Sequence, residues 1–235
     1  MERVHRRSLP HWYMPGAAHF VTYRLAGTLP ANVLEELKAV RERLLTGKTV
    51  SSIADRSYVN KVLFKEYDRY LDQTAGRDWL GQPEIALMLR ENLYHHDGQK
   101  YVLHAYCIMP NHVHVLFTPR MPCNEGVVGE VSDAASPLSS IMHSMKSYTA
   151  NEANRILKRT GAFWQSESYD HWVRDDGELE RVVNYIRGNP VSAGLVSRHE
   201  DWRWCSCYDR FQMDGDVSGW LPARSAGCQP AAADD

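Results

Sequence analysis

Two histidines one residue apart, His112 and His114, stand inside the run Met109-Pro110-Asn111-His112-Val113-His114-Val115-Leu116-Phe117. β-formers dominate this run, so it reads as a strand, where residues i and i+2 project from the same face. Val113, Val115 and Phe117 then face the core. Two imidazoles aimed the same way make half of a site for a divalent metal; the alternative is a histidine pair on a solvated strand face. Two tyrosines carry a polar side chain one helical turn further on. Tyr185 lies one helical turn before Asn189, and Tyr148 lies one turn before Glu152, both at i,i+4 spacing. A phenol has a pKa near ~10 and is a poor nucleophile at neutral pH. Spacing alone does not choose between them.

The elements that must hold these groups follow from periodicity. Residues 18–25 alternate and are rich in β-formers, giving a first strand. Pro30 opens a helical pattern through Val33, Leu34, Leu37, Val40, Leu44 and Leu45, which polar residues 46–57 interrupt. Helical stretches follow at about 58–74 and 83–95. Strands at 101–109 and 112–118, separated by Pro110-Asn111, imply an antiparallel hairpin. Residues 119–137 carry three Pro and two Gly and read as a flexible connector. Pro137 then starts a helix to about residue 158, with Ile141, Met145, Tyr148, Ala153 and Ile156 as its inner stripe. Residues 163–173 are aromatic and extended. A last helix begins at the acidic run Asp175-Asp176-Gly177-Glu178 and is expected to stop at Gly188-Asn189-Pro190.

This order predicts an α+β fold: a ferredoxin-like split βαββαβ antiparallel sheet with helices on one face. The helical segment of about 31–98 is an insertion after the first strand, and the last helix carries Tyr185. One domain over 1–211 and a mostly disordered tail over 212–235 are expected.

Composition narrows the function classes. Apolar content of 43%, charged content of 24% and a net charge of −2 are ordinary for a soluble globular protein. No apolar run is long enough to span a membrane, and no secretory signal is recognised at the amino end, so a cytoplasmic location is expected. The five cysteines, Cys107, Cys123, Cys205, Cys207 and Cys228, contain no Cys-x-x-Cys pair and read as free thiols rather than a zinc site. Charge is unevenly spread: the first 24 residues hold four Arg, three His and one acid. A basic amino-terminal face of this kind is compatible with nucleic acid.

The His-Val-His run preceded by Met-Pro-Asn resembles the signature of the HUH endonucleases, and within them the REP-associated tyrosine transposases and their insertion-sequence relatives. The resemblance continues through Gly161-Ala162-Phe163-Trp164-Gln165, through Tyr169-Asp170-His171-Trp172-Val173-Arg174-Asp175, and through Tyr185-Ile186-Arg187-Gly188-Asn189-Pro190-Val191-Ser192-Ala193-Gly194-Leu195. The block Asp201-Trp202-Arg203-Trp204-Cys205-Ser206 extends it further. It implies a metal-dependent nickase and strand transferase on single-stranded DNA at short palindromic (REP-like) hairpins. By this resemblance Tyr185 is the nucleophile, with Tyr148 as the alternative, and His112, His114 and Asn189 hold Mg²⁺ or Mn²⁺. The product implied is a 5′-phosphotyrosine linkage, and association with the nucleoid follows. Lys146, Arg174, Trp164 and the terminal Arg3, Arg6 and Arg7 are the DNA-contact candidates. A monomer is favoured over a homodimer. Two other readings compete with this one. A catalytically silent nucleic-acid-binding, repressor-like descendant needs none of the four site residues. A two-histidine phosphoesterase needs paired His-x-Thr/Ser motifs, which the chain lacks.

Overall fold

The computed structural model describes residues 13–45, 53–73, 76–120 and 136–208. Its centre is a four-stranded antiparallel sheet of order β2-β3-β1-β4, built from β1 (His19–Arg24), β2 (Tyr101–Ile108), β3 (His112–Pro119) and β4 (Tyr169–Trp172). That order is the one a split βαββαβ layout requires. All six residues of β1 are buried, because β1 has a strand on each side and helices above and below.

Register decides which side chains share a face. Across β1 and β3, Arg24 lies opposite His112, Thr22 opposite His114, and Phe20 opposite Leu116. These six residues project from one face of the sheet, while Val21, Tyr23, Val113, Val115 and Phe117 project from the other.

The second face is covered by α3 (Pro83–His95) and α4 (Pro137–Ile156). In α4, Ser136 caps the first turn by accepting from the Ser139 N–H at 3.1 Å, with Pro137 at the first helical position. Leu138, Ile141, Met142, Met145, Thr149 and Ala153 form its buried stripe. Tyr148, expected in that stripe, is 53% exposed. It precedes Thr149 by one residue, which turns it about 100° away from the core.

Helices also cover the first face, which the expectation of a single helical layer did not include. There α5 (Asp176–Ser192) and α2 (Ile53–Gln73) bring Val183, Ile186 and Phe64 against Phe20, Ala105, Cys107 and Leu116. α3 serves as the crossover helix between β1 and β2. The true addition is therefore α1 (Ala31–Leu45) with α2, which share a satellite core of Leu29, Val33 and Leu71. The helix stop expected at Gly188-Asn189-Pro190 does not occur: α5 runs on to Ser192 with Pro190 inside it. Carbonyls of Asn189 and Pro190 still accept from the N–H groups of Ala193 and Leu195 at 2.9 Å each. Proline removes one donor but leaves its own carbonyl free to bond onward.

Cys107, Cys205 and Cys207 are free and buried together, as the reading of unpaired thiols expected. No helix among the described residues is long and apolar enough to cross a membrane. The tail beyond 212 and most of the 119–137 connector lie outside the described residues.

Candidate active site

His112 and His114 project from β3 beneath α2 and α5, where they are 1% and 0% exposed. Their Nε2 atoms face each other at 3.0 Å. The outer nitrogens are held separately. His112 Nδ1 lies 2.6 Å from the Asn111 side-chain oxygen, and His114 Nδ1 lies 2.8 Å from the Thr22 hydroxyl. Asn111 donates its Nδ2–H to the Leu71 carbonyl at 2.8 Å. A carbonyl can only accept, so this bond fixes the amide's orientation, and His112 must carry its proton on Nδ1. Burial, and after it the neighbouring His114, push the His112 pKa down to about 3. The ring is therefore neutral at physiological pH and turns a bare lone pair inward. Thr22 can donate or accept, so its hydroxyl suits either tautomer of His114.

A third group closes the cluster. Asp68 of α2, 6% exposed, places Oδ1 3.4 Å from His114 Nε2 and 3.8 Å from His112 Nε2. That oxygen is buried without a hydrogen bond, and so is Asn189 Oδ1. Orphaned buried oxygens beside an inward-facing imidazole lone pair are costly unless a cation or proton lies among them. Neighbouring ligands in an octahedral shell of about 2.1 Å radius stand about 3.0 Å apart, which matches the Nε2 spacing. Asp68, His112 and His114 thus offer three converging ligand atoms, a mixed nitrogen and oxygen set of the kind that can hold a divalent cation. Burial would raise the Asp68 pKa. The two histidines and the phenol outweigh it and bring it to about 2.

Tyr185 enters from α5. Its ring packs edge-on against Phe20, Phe64 and His114, with centroids 5.9, 5.7 and 5.5 Å away. Its hydroxyl donates to Asp68 Oδ2. Because α5 continues through Pro190, Asn189 stays one turn from Tyr185 and donates Nδ2–H to Asp68 Oδ2 at 3.3 Å and to the phenol oxygen at 3.4 Å. Burial first, and the Asp68 carboxylate second, push the phenol's pKa well above its ordinary value. The phenol is protonated and oriented. A cavity of about 320 Å³ opens onto it, lined by Lys65, Asp68, Arg69, Asp72, Tyr185, Ser192 and Ala193.

The structure thus gathers His112, His114, Tyr185 and Asn189. Tyr148 it leaves exposed on α4, which packs on the opposite face of the sheet. Lys146 donates to the carbonyls of Gln165 and Ser166 at 2.6 and 2.9 Å, stapling that segment to α4. Trp164 is 7% exposed, its indole N–H donating to Thr149 at 2.9 Å, so its ring is committed to the core. The Arg174 guanidinium is exposed and sits over the Trp172 ring at 5.6 Å. Arg3, Arg6 and Arg7 lie outside the described residues.

Sequence reasoning missed Asp68, Thr22 and Asn111. For Asp68 a signal existed: Phe64, Asp68 and Leu71 fall at i, i+4 and i+7, which puts an acid in the middle of an apolar stripe.

No protein-family model matches the chain. Over 102 residues, 43% of its length, it is 30% identical to a curated protein of Haemophilus influenzae named as a REP-associated tyrosine transposase. The match spans 56% of that protein. A solved structure of a REP-associated tyrosine transposase bound to a REP hairpin aligns with 94% of this chain and 92% of that one. Its TM-score is 0.46 at 15% identity.

Proposed function

We propose that this chain is a REP-associated tyrosine transposase, a divalent-metal-dependent enzyme that cuts and rejoins single-stranded DNA at short hairpins through Tyr185. The observation that carries this reading is the convergence of one phenol, two inward-facing imidazole nitrogens and one carboxylate in a single buried cluster. The curated relative's name supports the choice of reaction.

His112, His114 and Asp68 would hold the cation, with the Asn189 amide oxygen as a further candidate. When bound, it would supply positive charge to a phosphate and offset the two negative charges that meet in the transition state. The chain's own groups do the rest. Tyr185 Oη forms a bond to phosphorus, the 3′ oxygen of the preceding nucleotide leaves, and Asp68 Oδ2 is placed to receive the phenolic proton. Asn189 keeps the phenol and the carboxylate in register. The linkage formed is a 5′-phosphotyrosine, and a second 3′-hydroxyl reverses the step, joining strands without ATP. The cavity beside Lys65 and Arg69 gives the phosphate its route to Tyr185.

The test is incubation with labelled single-stranded hairpin DNA and Mn²⁺, followed by denaturing electrophoresis. Wild type and Tyr148→Phe are expected to form a covalent protein–DNA adduct, and Tyr185→Phe to form none. Adduct with Tyr185→Phe, or adduct that survives a chelator, overturns the assignment. DNA binding without any adduct from wild type would indicate the silent, repressor-like alternative.

A further inference from the structure

A second cavity, of about 420 Å³, lies on the same sheet face between α1, α2 and the segment leading into β4. Its volume falls within the range of about 300–1,000 Å³ typical of small-molecule sites. The wall is apolar and aromatic, with Leu34, Leu37, Phe64, Tyr67 and Tyr169 on it. Phe64 and Tyr169 stack on each other at 4.3 Å. Phe64 also touches the rings of Tyr185 and His114. One layer of stacked rings therefore separates this cavity from the nucleophile.

Arg24 is the unusual member of the wall. It is 3% exposed and lies opposite His112 in the sheet. Its Nε–H donates to the Tyr67 hydroxyl at 2.5 Å, and Nη1 reaches the Thr28 hydroxyl at 3.0 Å and the Leu25 carbonyl at 3.4 Å. Nη2 has no hydrogen bond, and no carboxylate among the described residues pairs with the guanidinium. Of the two acids on the wall, Glu35 is bonded instead to Lys38 at 2.7 Å, and Glu167 is not within ion-pair reach of Arg24. A buried cation without a counter-charge is costly unless acceptors meet it. It sits here beside flat rings and the exposed cation of Arg41.

We propose that this cavity binds one nucleotide of the single-stranded substrate, with guanine preferred. This rests on the function proposed above and deepens it, since it names what the inserted helices recognise. The base packs against the aromatic wall, as bases do in single-strand binders. Nη2 of Arg24, the one guanidinium nitrogen not already hydrogen-bonded, donates to the guanine acceptors O6 and N7; adenine would turn its N6–H₂ donor toward it.

The test measures binding of free dGMP and dAMP to the full-length protein by saturation-transfer NMR. Excess chelator keeps the phosphate from being held by metal at the histidines. Wild type is expected to bind dGMP at least tenfold more tightly than dAMP. Ser168→Trp, which fills the rim with an indole, is expected to lose at least tenfold for dGMP while keeping wild-type Mn²⁺ affinity and melting temperature. Arg24→Gln should lose the guanine preference, with its melting temperature measured in parallel. Equal binding of the two nucleotides by wild type, or unchanged dGMP binding by Ser168→Trp, overturns the proposal. An absent DNA adduct with dGMP binding intact sinks the catalytic reading alone.

Discussion

At the scale of single residues, the cluster depends on groups that never touch the reacting atoms. Thr22 and Asn111 aim the two imidazoles, and partners of this kind are worth about 10–100-fold in metal affinity. Thr22→Val is therefore expected to weaken Mn²⁺ binding by at least about tenfold, measured by electron paramagnetic resonance of the free ion, with little change in fold. Asp68→Asn removes a ligand charge and should weaken Mn²⁺ binding more than Thr22→Val does; equal affinity to wild type would assign the carboxylate to Tyr185 alone. The histidine pair was legible in the sequence as i,i+2 on a strand; Tyr185–Asn189 shares its i,i+4 spacing with Tyr148–Glu152, and the family resemblance, not the spacing, singled it out. Asp68 was not legible. Its contact with Asn189 joins residues 121 apart, and no periodicity reports a partner at that distance.

At the scale of elements, strand and helix positions were legible because hydrophobic period tracks secondary structure. α3 was expected at 83–95 and spans Pro83–His95. Three features were not legible for one shared reason: tertiary packing overrode a local signal. α5 crosses Asn-Pro, β1 is buried on both faces, and α2 lies over the histidines. The α2 helix is tied down at Lys61, whose Nζ lies 2.6 Å from Glu178 Oε1, with His171 Nε2 at 3.0 Å from the same oxygen. Burial alone would raise the Glu178 pKa, but Lys61, the Arg174 N–H and His171 together hold it at about 2, below its ordinary 4.5. A depressed folded-state value means the stabilisation is present above about pH 4.5 and is lost as pH falls toward 2. Thermal unfolding followed between pH 2 and 6 should show this slope in wild type and a flatter one in Glu178→Gln. The Lys61 side chain is 47% exposed, so added salt should reduce the effect. On the other face, Thr149→Val leaves the Trp164 indole N–H buried without an acceptor, and about 1–3 kcal/mol of stability should be lost in denaturant unfolding.

At the scale of the whole molecule, α2, β3 and α5 converge on one buried cluster, so the binding energy of an ion held there would become folding energy. Mn²⁺ at 100 times its dissociation constant should stabilise the protein by about 2.7 kcal/mol, or about 5–10 °C in melting temperature for a chain of this size. His112→Ala and His114→Ala should show no such shift in calorimetry. The same convergence sets an order in time. Translation proceeds at about 5–20 residues per second, so roughly 6–24 s pass between synthesis of Asp68 and of Asn189, 121 positions later. Until residue 185 is made, the nascent protein owns at most the carboxylate and the two imidazoles of the cluster, without the Tyr185 phenol. On the function proposed above, a ribosome-stalled fragment ending before residue 185 is expected to form no covalent adduct with DNA, however well its sheet has begun to form.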